Sequence, residues 1–89
     1  SWNKGHFILI LAPTRELADQ IHKNVLLLSK NTPLKSVLVY GGVEYQEQTQ
    51  ALTEGVDIVV GTPGRLLDLY KNHHLNFRQI KAVVFDEAD

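Results

Sequence analysis

The stretch HFILILAPTRELADQI, residues 6–21, sets the fold of this 89-residue chain. Its first part, residues 6–11, is a short continuous apolar run, which is typical of a strand buried on both faces. Ala12 precedes a proline and is expected to be extended. From residue 17 onward, apolar side chains return every three to four positions, which predicts a helix. These side chains are Leu17, Ile21, Val25 and Leu28.

The same alternation of strand and helix continues along the rest of the chain. Further strands are predicted at residues 35–40, 57–60 and 80–85, and further helices at residues 44–54 and 66–72. Residues 31–33 end the first helix, and Gly55 ends the second. Four apolar strands with three intervening helices imply parallel pairing through right-handed crossovers. We therefore predict an α/β fold with four parallel strands and three crossover helices.

The composition is that of an ordinary globular protein, with 44% hydrophobic and 21% charged residues, and it excludes a disordered chain. The absence of cysteine excludes disulfides and thiolate metal sites. No apolar run approaches the ~20 residues of a membrane span, and no signal peptide is visible. We expect a cytoplasmic location and no membrane partner. The chain has no methionine, even at position 1, so we expect a fragment or a processed product.

The net charge of −1 argues against a general polyanion-binding surface. Any contact with nucleic acid would depend on a few well-placed groups. Such groups follow all four strands, at the carboxyl end of the sheet, which is where ligands bind in parallel α/β folds. They are Pro13, Thr14 and Arg15, then Gly41 and Gly42, then Thr62, Pro63, Gly64 and Arg65, and finally Asp86 and Glu87.

Asp86 and Glu87 directly follow the apolar residues 82–85. A carboxylate at the tip of a buried strand is costly without a cation or hydrogen-bond partners. Mg²⁺ is commonly held by one or two carboxylates together with waters and substrate phosphates, and a neighbouring Glu can orient or deprotonate a water. The pair predicts a magnesium site, with a plain polar turn as the alternative.

Arg15 and Arg65 both lie in the first turn of a predicted helix, where a cation opposes the helix dipole. An anionic partner is the natural compensation, because helix N-termini also bind phosphates through free backbone N–H groups. The alternative is an ion pair with Glu16 or Asp68. Thr14 and Thr62 stand at the junctions between strand and helix. Thr62 followed by proline fits an N-cap with proline at the first helical position.

Four short motifs occur in order at these strand ends: PTRELA at 13–18, GG at 41–42, TPGR at 62–65 and DEAD at 86–89. Together they resemble the first RecA-like domain of the DEAD-box ATP-dependent RNA helicases, from about Phe7 to Asp89. The resemblance implies a partial RecA-like domain of the P-loop NTPase type, with three layers in the order α/β/α. The run 40–68 is similar to a bacterial helicase of the RNA-degradation machinery, which would imply RNA decay.

The resemblance also implies roles for single residues. Asp86 would hold Mg²⁺ through water, Glu87 would position and activate the hydrolytic water, and Asp89 would link the nucleotide site to the helicase interface. The residues matching the RNA motifs are Pro13, Thr14, Arg15, Gly41, Gly42, Thr62, Gly64 and Arg65. They would hold phosphates and 2′-hydroxyls rather than base edges, which agrees with arginines and helix N-termini as phosphate-positioning groups. The implied cofactors are ATP and Mg²⁺, and the implied partner is RNA.

The chain also departs from the family pattern. It contains no G-x-x-x-x-G-K-[ST] phosphate loop, since Gly55 and Gly61 are followed by Thr62 instead of lysine. The adenine-reading glutamine segment, the Ser-Ala-Thr motif and the second domain are also absent. We expect a piece of a domain that neither hydrolyses ATP nor unwinds RNA alone. The family's strand order of four, one, three, two would leave residues 82–85 as an exposed apolar edge, which is an aggregation hazard.

Three other functions are compatible with parts of this pattern. One is a superfamily-two helicase that acts on DNA, against which the PTRELA and TPGR motifs argue. Another is a non-catalytic fragment that only binds RNA or a partner protein. A signalling module with a phosphoacceptor site is disfavoured, because it needs an acidic pair after the first strand, where Ala12, Pro13 and Thr14 stand.

Overall fold

The computed structural model describes residues 5–42 and 44–85. Strands and helices alternate in it as the sequence predicts. The strands in this part of the chain are β1 (Phe7–Leu11), β2 (Ser36–Val39), β3 (Ile58–Gly61) and β4 (Ile80–Phe85). The helices are α1 (Arg15–Ser29), α2 (Tyr45–Glu54) and α3 (Pro63–Lys71), with a short 3₁₀ helix (Phe77–Gln79) before β4. No helix described there is both long and apolar enough for a membrane span.

The four strands form one parallel sheet in the order β2-β3-β1-β4. This is the predicted order of four, one, three, two. In the register, Leu9 pairs with Val59 on one side and with Val83 on the other. All four strands therefore end on the same side of the sheet, where the polar motifs follow them.

Helices cover both faces of the sheet, which gives the predicted three layers. On one face, α2 and α3 pack on Leu9, Val39 and Val59 through Leu52, Leu66 and Leu69. On the opposite face, α1 packs on Ile10, Leu38 and Val60 through Leu17, Ala18 and Ile21. Successive side chains of a strand point to opposite faces, so near-continuous apolar strands supply both cores.

The helix ends follow their local chemistry. Oγ1 of Thr14 accepts a hydrogen bond from the backbone N of Leu17 at 3.2 Å, so α1 begins at Arg15. Thr62 is the N-cap of α3 as predicted, and Pro63 is its first residue. The third helix therefore starts three residues earlier than the predicted Leu66. Gly55 ends α2 with φ of +101°, a backbone angle that favours glycine.

One residue of the predicted apolar face of α1 is not buried. Leu28 is 84% exposed, although it lies on the same side of the helix as Ile21. A 15-residue helix is ~22 Å long and a five-residue strand only ~16 Å. The last turn of α1 therefore extends beyond the sheet, and Leu28 has no strand beneath it.

β4 is exposed along most of its length. Val83 is 46% exposed, Val84 47% and Phe85 73%, and β1 is the only described strand that pairs with β4. The predicted exposed apolar edge is confirmed. Its tendency to aggregate stays a prediction, which rests on the unpaired backbone groups of such an edge.

The stability of the fold is expected to decrease in mild acid because of His22. Nε2 of His22 lies 3.2 Å from Oγ of Ser36, and burial lowers the pKa of His22, against a smaller opposing effect of Asp19. The unfolded chain then binds this proton more readily, so stability falls as the pH drops below 6.5. Urea unfolding at about pH 7.5 and about pH 5.5 measures the loss. The loss should be smaller in His22→Gln, and an equal loss in both proteins would contradict the prediction.

Candidate nucleic-acid interface

Three of the four motif segments lie at the carboxyl end of the sheet within the described residues. They are residues 13–15 after β1, 41–42 after β2 and 62–65 after β3, called here the carboxyl-end loops. The exposed members are Pro13, Thr14, Arg15, Gly41, Gly42, Pro63 and Gly64, while Thr62 and Arg65 are half-buried. Asp86, Glu87 and Asp89 follow β4 in the sequence and lie outside the described residues.

Arg15 lies against the ring of Tyr40, the residue that follows β2. The Cζ atom of Arg15 is 5.0 Å from the ring centroid, within cation–π distance. The hydroxyl of Tyr40 donates a hydrogen bond of 2.9 Å to Oδ1 of Asp19, one helical turn after Arg15. This bond and partial burial raise the pKa of Tyr40 above its usual value. α1 therefore holds Tyr40 at two points, and Tyr40 in turn orients the guanidinium.

Gly42 lies next to the same guanidinium. Its φ is +89°, and a Cβ atom at this position would lie 3.4 Å from Nη1 of Arg15. Gly41 has no atom within 4 Å of the corresponding position. The two glycines of the GG motif therefore differ: the backbone angle of Gly42 favours glycine, and Gly42 alone of the two lies in contact range of the guanidinium.

Arg65 has an equivalent arrangement on the other face of the sheet. Its Nη1 donates a hydrogen bond of 3.1 Å to Oε1 of Gln48, and its Cζ is 5.1 Å from the ring centroid of Tyr45. The Tyr45 ring also makes an edge contact with His74 at 5.5 Å between centroids. Each arginine therefore has a tyrosine ring on one side of its guanidinium.

The positive charges of the two arginines are not neutralised by the described residues. Neither guanidinium forms an ion pair with a carboxylate of the described residues. The ion pairs with Glu16 and Asp68 that the sequence offered as an alternative are therefore not formed. Oδ1 of Asp68 instead accepts a hydrogen bond from Asn72. Two oriented cations in the first turns of two helices are chemically suited to bind an anion with spaced charges, such as a phosphodiester chain.

Several residues of this surface were not singled out from the sequence. They are Asp19, Tyr40, Tyr45 and Gln48, none of which belongs to the motifs that follow the strands. A signal for Gln48 did exist, because it lies three residues after Tyr45 and four before Leu52, on the apolar face of α2. A polar residue on an apolar helix face predicts a specific hydrogen-bonding role.

The described residues contain no group of three or more His, Asp or Glu side chains placed to hold a metal ion. The predicted Mg²⁺ ligand Asp86 lies outside them. The position of the carboxyl end of β4 is known. Phe85, the last residue of β4, pairs with Leu11, the last residue of β1, and the loop that carries Arg15 follows β1. The predicted acidic motif therefore follows the strand next to β1.

Known proteins with similar sequences point to one family. A family model described as DEAD/DEAH box helicase matches residues 2–89. The ATP-dependent RNA helicase RhlB of Aliivibrio fischeri is 52% identical over 81 residues, which are 91% of this chain and 19% of the relative. The DEAD-box ATP-dependent RNA helicase 20 of Oryza sativa is 46% identical over 85 residues, which are 96% of this chain and 17% of the relative.

Solved structures agree with the sequence matches. The yeast DEAD-box splicing factor Prp28 superposes with a TM-score of 0.79 at 45% identity, over 96% of this chain and 20% of that one. A DEAD box protein from Methanococcus jannaschii gives a TM-score of 0.84 at 44% identity, over 96% and 23% of the two chains. The prediction of a partial RecA-like α/β domain is confirmed. The chain spans about one-fifth of the length of these proteins, and it belongs to the DEAD/DEAH box helicase family.

Proposed function

We propose that residues 1–89 are part of an ATP-dependent RNA helicase and supply part of its RNA-binding surface. The observation that carries the proposal is the pair of arginines in the carboxyl-end loops, each oriented by a tyrosine and neither paired with a carboxylate of the described residues. The relatives named above as ATP-dependent RNA helicases support the substrate and the energy source.

The proposed RNA contact is with the sugar-phosphate backbone. Arg15 and Arg65 are cations at helix N-termini, which position phosphates but carry no sequence information. Thr14, Thr62 and the exposed glycines Gly41, Gly42 and Gly64 let a nucleic-acid strand approach the backbone at the same end of the sheet. Because the contacts are local, a chain of net charge −1 can bind a polyanion.

The proposed nucleotide site involves the DEAD motif. Asp86 would hold Mg²⁺ through water, a role that suits a carboxylate, the ligand type that this ion prefers. Bound Mg²⁺ would neutralise charge on the ATP phosphates. Glu87 would orient the attacking water and accept its proton, and Asp89 would transmit the state of the site to the helicase interface. The coupling of ATP hydrolysis to duplex unwinding or to remodelling of RNA–protein complexes is proposed for the complete polypeptide.

The RNA contact is tested with Arg15→Ala and Arg65→Ala in the complete polypeptide that contains residues 1–89. We expect each change to weaken single-stranded RNA binding about tenfold, because each removes a charge-assisted contact of about 1.5 kcal/mol. The loss should be the same for RNAs of different sequence, and the salt dependence of log K should decrease by about one unit of slope. Fluorescence anisotropy with labelled RNA measures both.

Arg78→Ala is the matched control, since Arg78 is exposed in the 3₁₀ helix before β4, at the opposite end of the sheet. It should leave RNA affinity unchanged. Equal losses in all three variants, or no loss from Arg15→Ala and Arg65→Ala, would refute the proposed RNA surface. Tighter binding of DNA than of RNA of the same sequence would indicate a DNA helicase instead.

A further inference from the structure

Gln48 is a buried polar residue that joins Tyr40, directly after β2, to Arg65 in α3. Its side chain is only 1% exposed and lies on the face of α2 that packs against the sheet. Nε2 donates a hydrogen bond of 3.1 Å to the backbone carbonyl of Tyr40, and Oε1 accepts one of 3.1 Å from Nη1 of Arg65. Both ends of the amide are therefore used, one by the segment after β2 and the other by α3.

Tyr40 extends this connection to the opposite face of the sheet. Its carbonyl faces Gln48, while its ring packs with the α1 core and lies 5.0 Å from Cζ of Arg15. The contacts therefore run from Arg15 through Tyr40 and Gln48 to Arg65. This series of contacts passes around the end of the sheet and links two arginines that belong to different helices on different faces.

The burial of Gln48 makes this connection stiff. An unsatisfied buried amide is costly, so Gln48 keeps both of its partners, and loss of one partner leaves a buried donor or acceptor unpaired. The position of Arg65 is thereby tied to that of Tyr40. A side chain fixed in this way loses less freedom when it binds a ligand than a free arginine does.

We propose that Gln48 is a positioning residue that couples Arg15 and Arg65 through Tyr40, so that the two guanidiniums bind adjacent phosphates of one RNA strand as a unit. This inference rests on the proposed function, because it requires both arginines to contact RNA. It adds that the two contacts are cooperative, and that the cooperativity depends on a residue that does not itself touch RNA.

The test is a double-mutant cycle on RNA affinity in the complete polypeptide. Arg15→Ala, Arg65→Ala and the double variant are measured with Gln48 intact and again in the Gln48→Leu background. With Gln48 intact, we expect the combined loss to be smaller than the product of the single losses by a factor of roughly ten, because the first substitution already breaks the unit. In the Gln48→Leu background, neither arginine substitution should cause a further loss, alone or combined, because the unit is already broken.

Two further variants separate positioning from folding. Gln50→Leu is the same chemical change at an exposed position of the same helix, and it should alter neither affinity nor coupling. Gln48→Leu should weaken RNA binding roughly tenfold in the otherwise unchanged protein. It should cost nothing further in the variant that lacks both arginines. A role in stability alone would lower the affinity of all these proteins by the same factor.

The outcomes distinguish this inference from the proposed function. If neither arginine substitution changes RNA affinity, the proposed RNA surface is wrong. If each changes affinity, but the coupling is the same with Gln48 and with Leu at position 48, the RNA surface holds and the positioning role of Gln48 is refuted. The inference is supported if the coupling between the two arginine substitutions is lost in the Gln48→Leu background and thermal unfolding shows that this variant is folded.

Discussion

Leu69→Ala is expected to lower the local free energy of unfolding by about 3 kcal/mol. Leu69 is 0% exposed and is the largest of the fully buried side chains of the described residues. It projects from α3 into the core between the helices and one face of the sheet, where the surrounding side chains are themselves buried and the space left by truncation cannot close fully. A loss of this size is a large fraction of the stability of a typical domain, which is about 5–15 kcal/mol.

Leu67→Ala is the matched control for this prediction. Leu67 lies two residues earlier in the same helix but is 50% exposed, and its truncation should cost about 0.5 kcal/mol or less. Native-state hydrogen exchange of the β1 and β3 amides in the complete polypeptide measures both effects in this part of the protein. Similar protection in the two variants would show that the α3 face is not the core described here.

Gly42→Ala is expected to lower both RNA affinity and stability, whereas Gly41→Ala should have little effect. At φ of +89° an alanine is strained by about 1–2 kcal/mol. Its Cβ would also be in van der Waals contact with the guanidinium of Arg15, 3.4 Å from Nη1, so a shift of the loop that relieves the backbone strain would displace the guanidinium from Tyr40. We expect roughly a tenfold loss of RNA affinity, equivalent to the loss of one phosphate contact.

Anisotropy titrations and thermal unfolding of the two alanine variants separate these effects. Gly41 has a similar exposure and the same side-chain change, but no neighbour within 4 Å and no positive φ. If the two variants lose RNA affinity equally, the loop as a whole matters and the specific contact between Gly42 and Arg15 does not. A stability loss in Gly42→Ala with normal RNA binding would assign the glycine to the turn alone.

The sequence predicted the strands and helices and their order along the chain well. Short, near-continuous apolar runs such as residues 6–11 are typical of buried parallel strands and fit few other structures. The strand order came from the family resemblance, and the sheet has that order. Helix ends were less predictable. α3 begins at Pro63, whose fixed φ suits the first position of a helix, whereas the apolar spacing alone marks only Leu66. Leu28 has helical periodicity but is exposed, since periodicity does not tell how far the sheet extends beneath a helix.

The candidate site was predictable in its main cations but not in what holds them. The positions of Arg15 and Arg65 directly after strands predicted that they bind an anion. The alternative was an ion pair with the nearest acidic residue in the sequence. The actual contacts are with Tyr40, Tyr45 and Gln48, from segments that are distant along the chain. Such long-range contacts depend on how α2 docks on the sheet, which local pattern does not specify.

β4 has the composition of an interior strand. Lys81 is its only charged residue, and the register irregularity in its pairing with β1 lies at its beginning, where Phe7 pairs with Ile80 and Ile8 with Ala82. Residues 82–85 therefore carry none of the charges, prolines or bulges with which natural edge strands usually prevent pairing with another molecule. Two copies of residues 1–89 could therefore pair through β4, and the apparent stability of the isolated segment would rise with its concentration by mass action. The free energy of unfolding of the isolated segment consequently has to be measured at a series of protein concentrations.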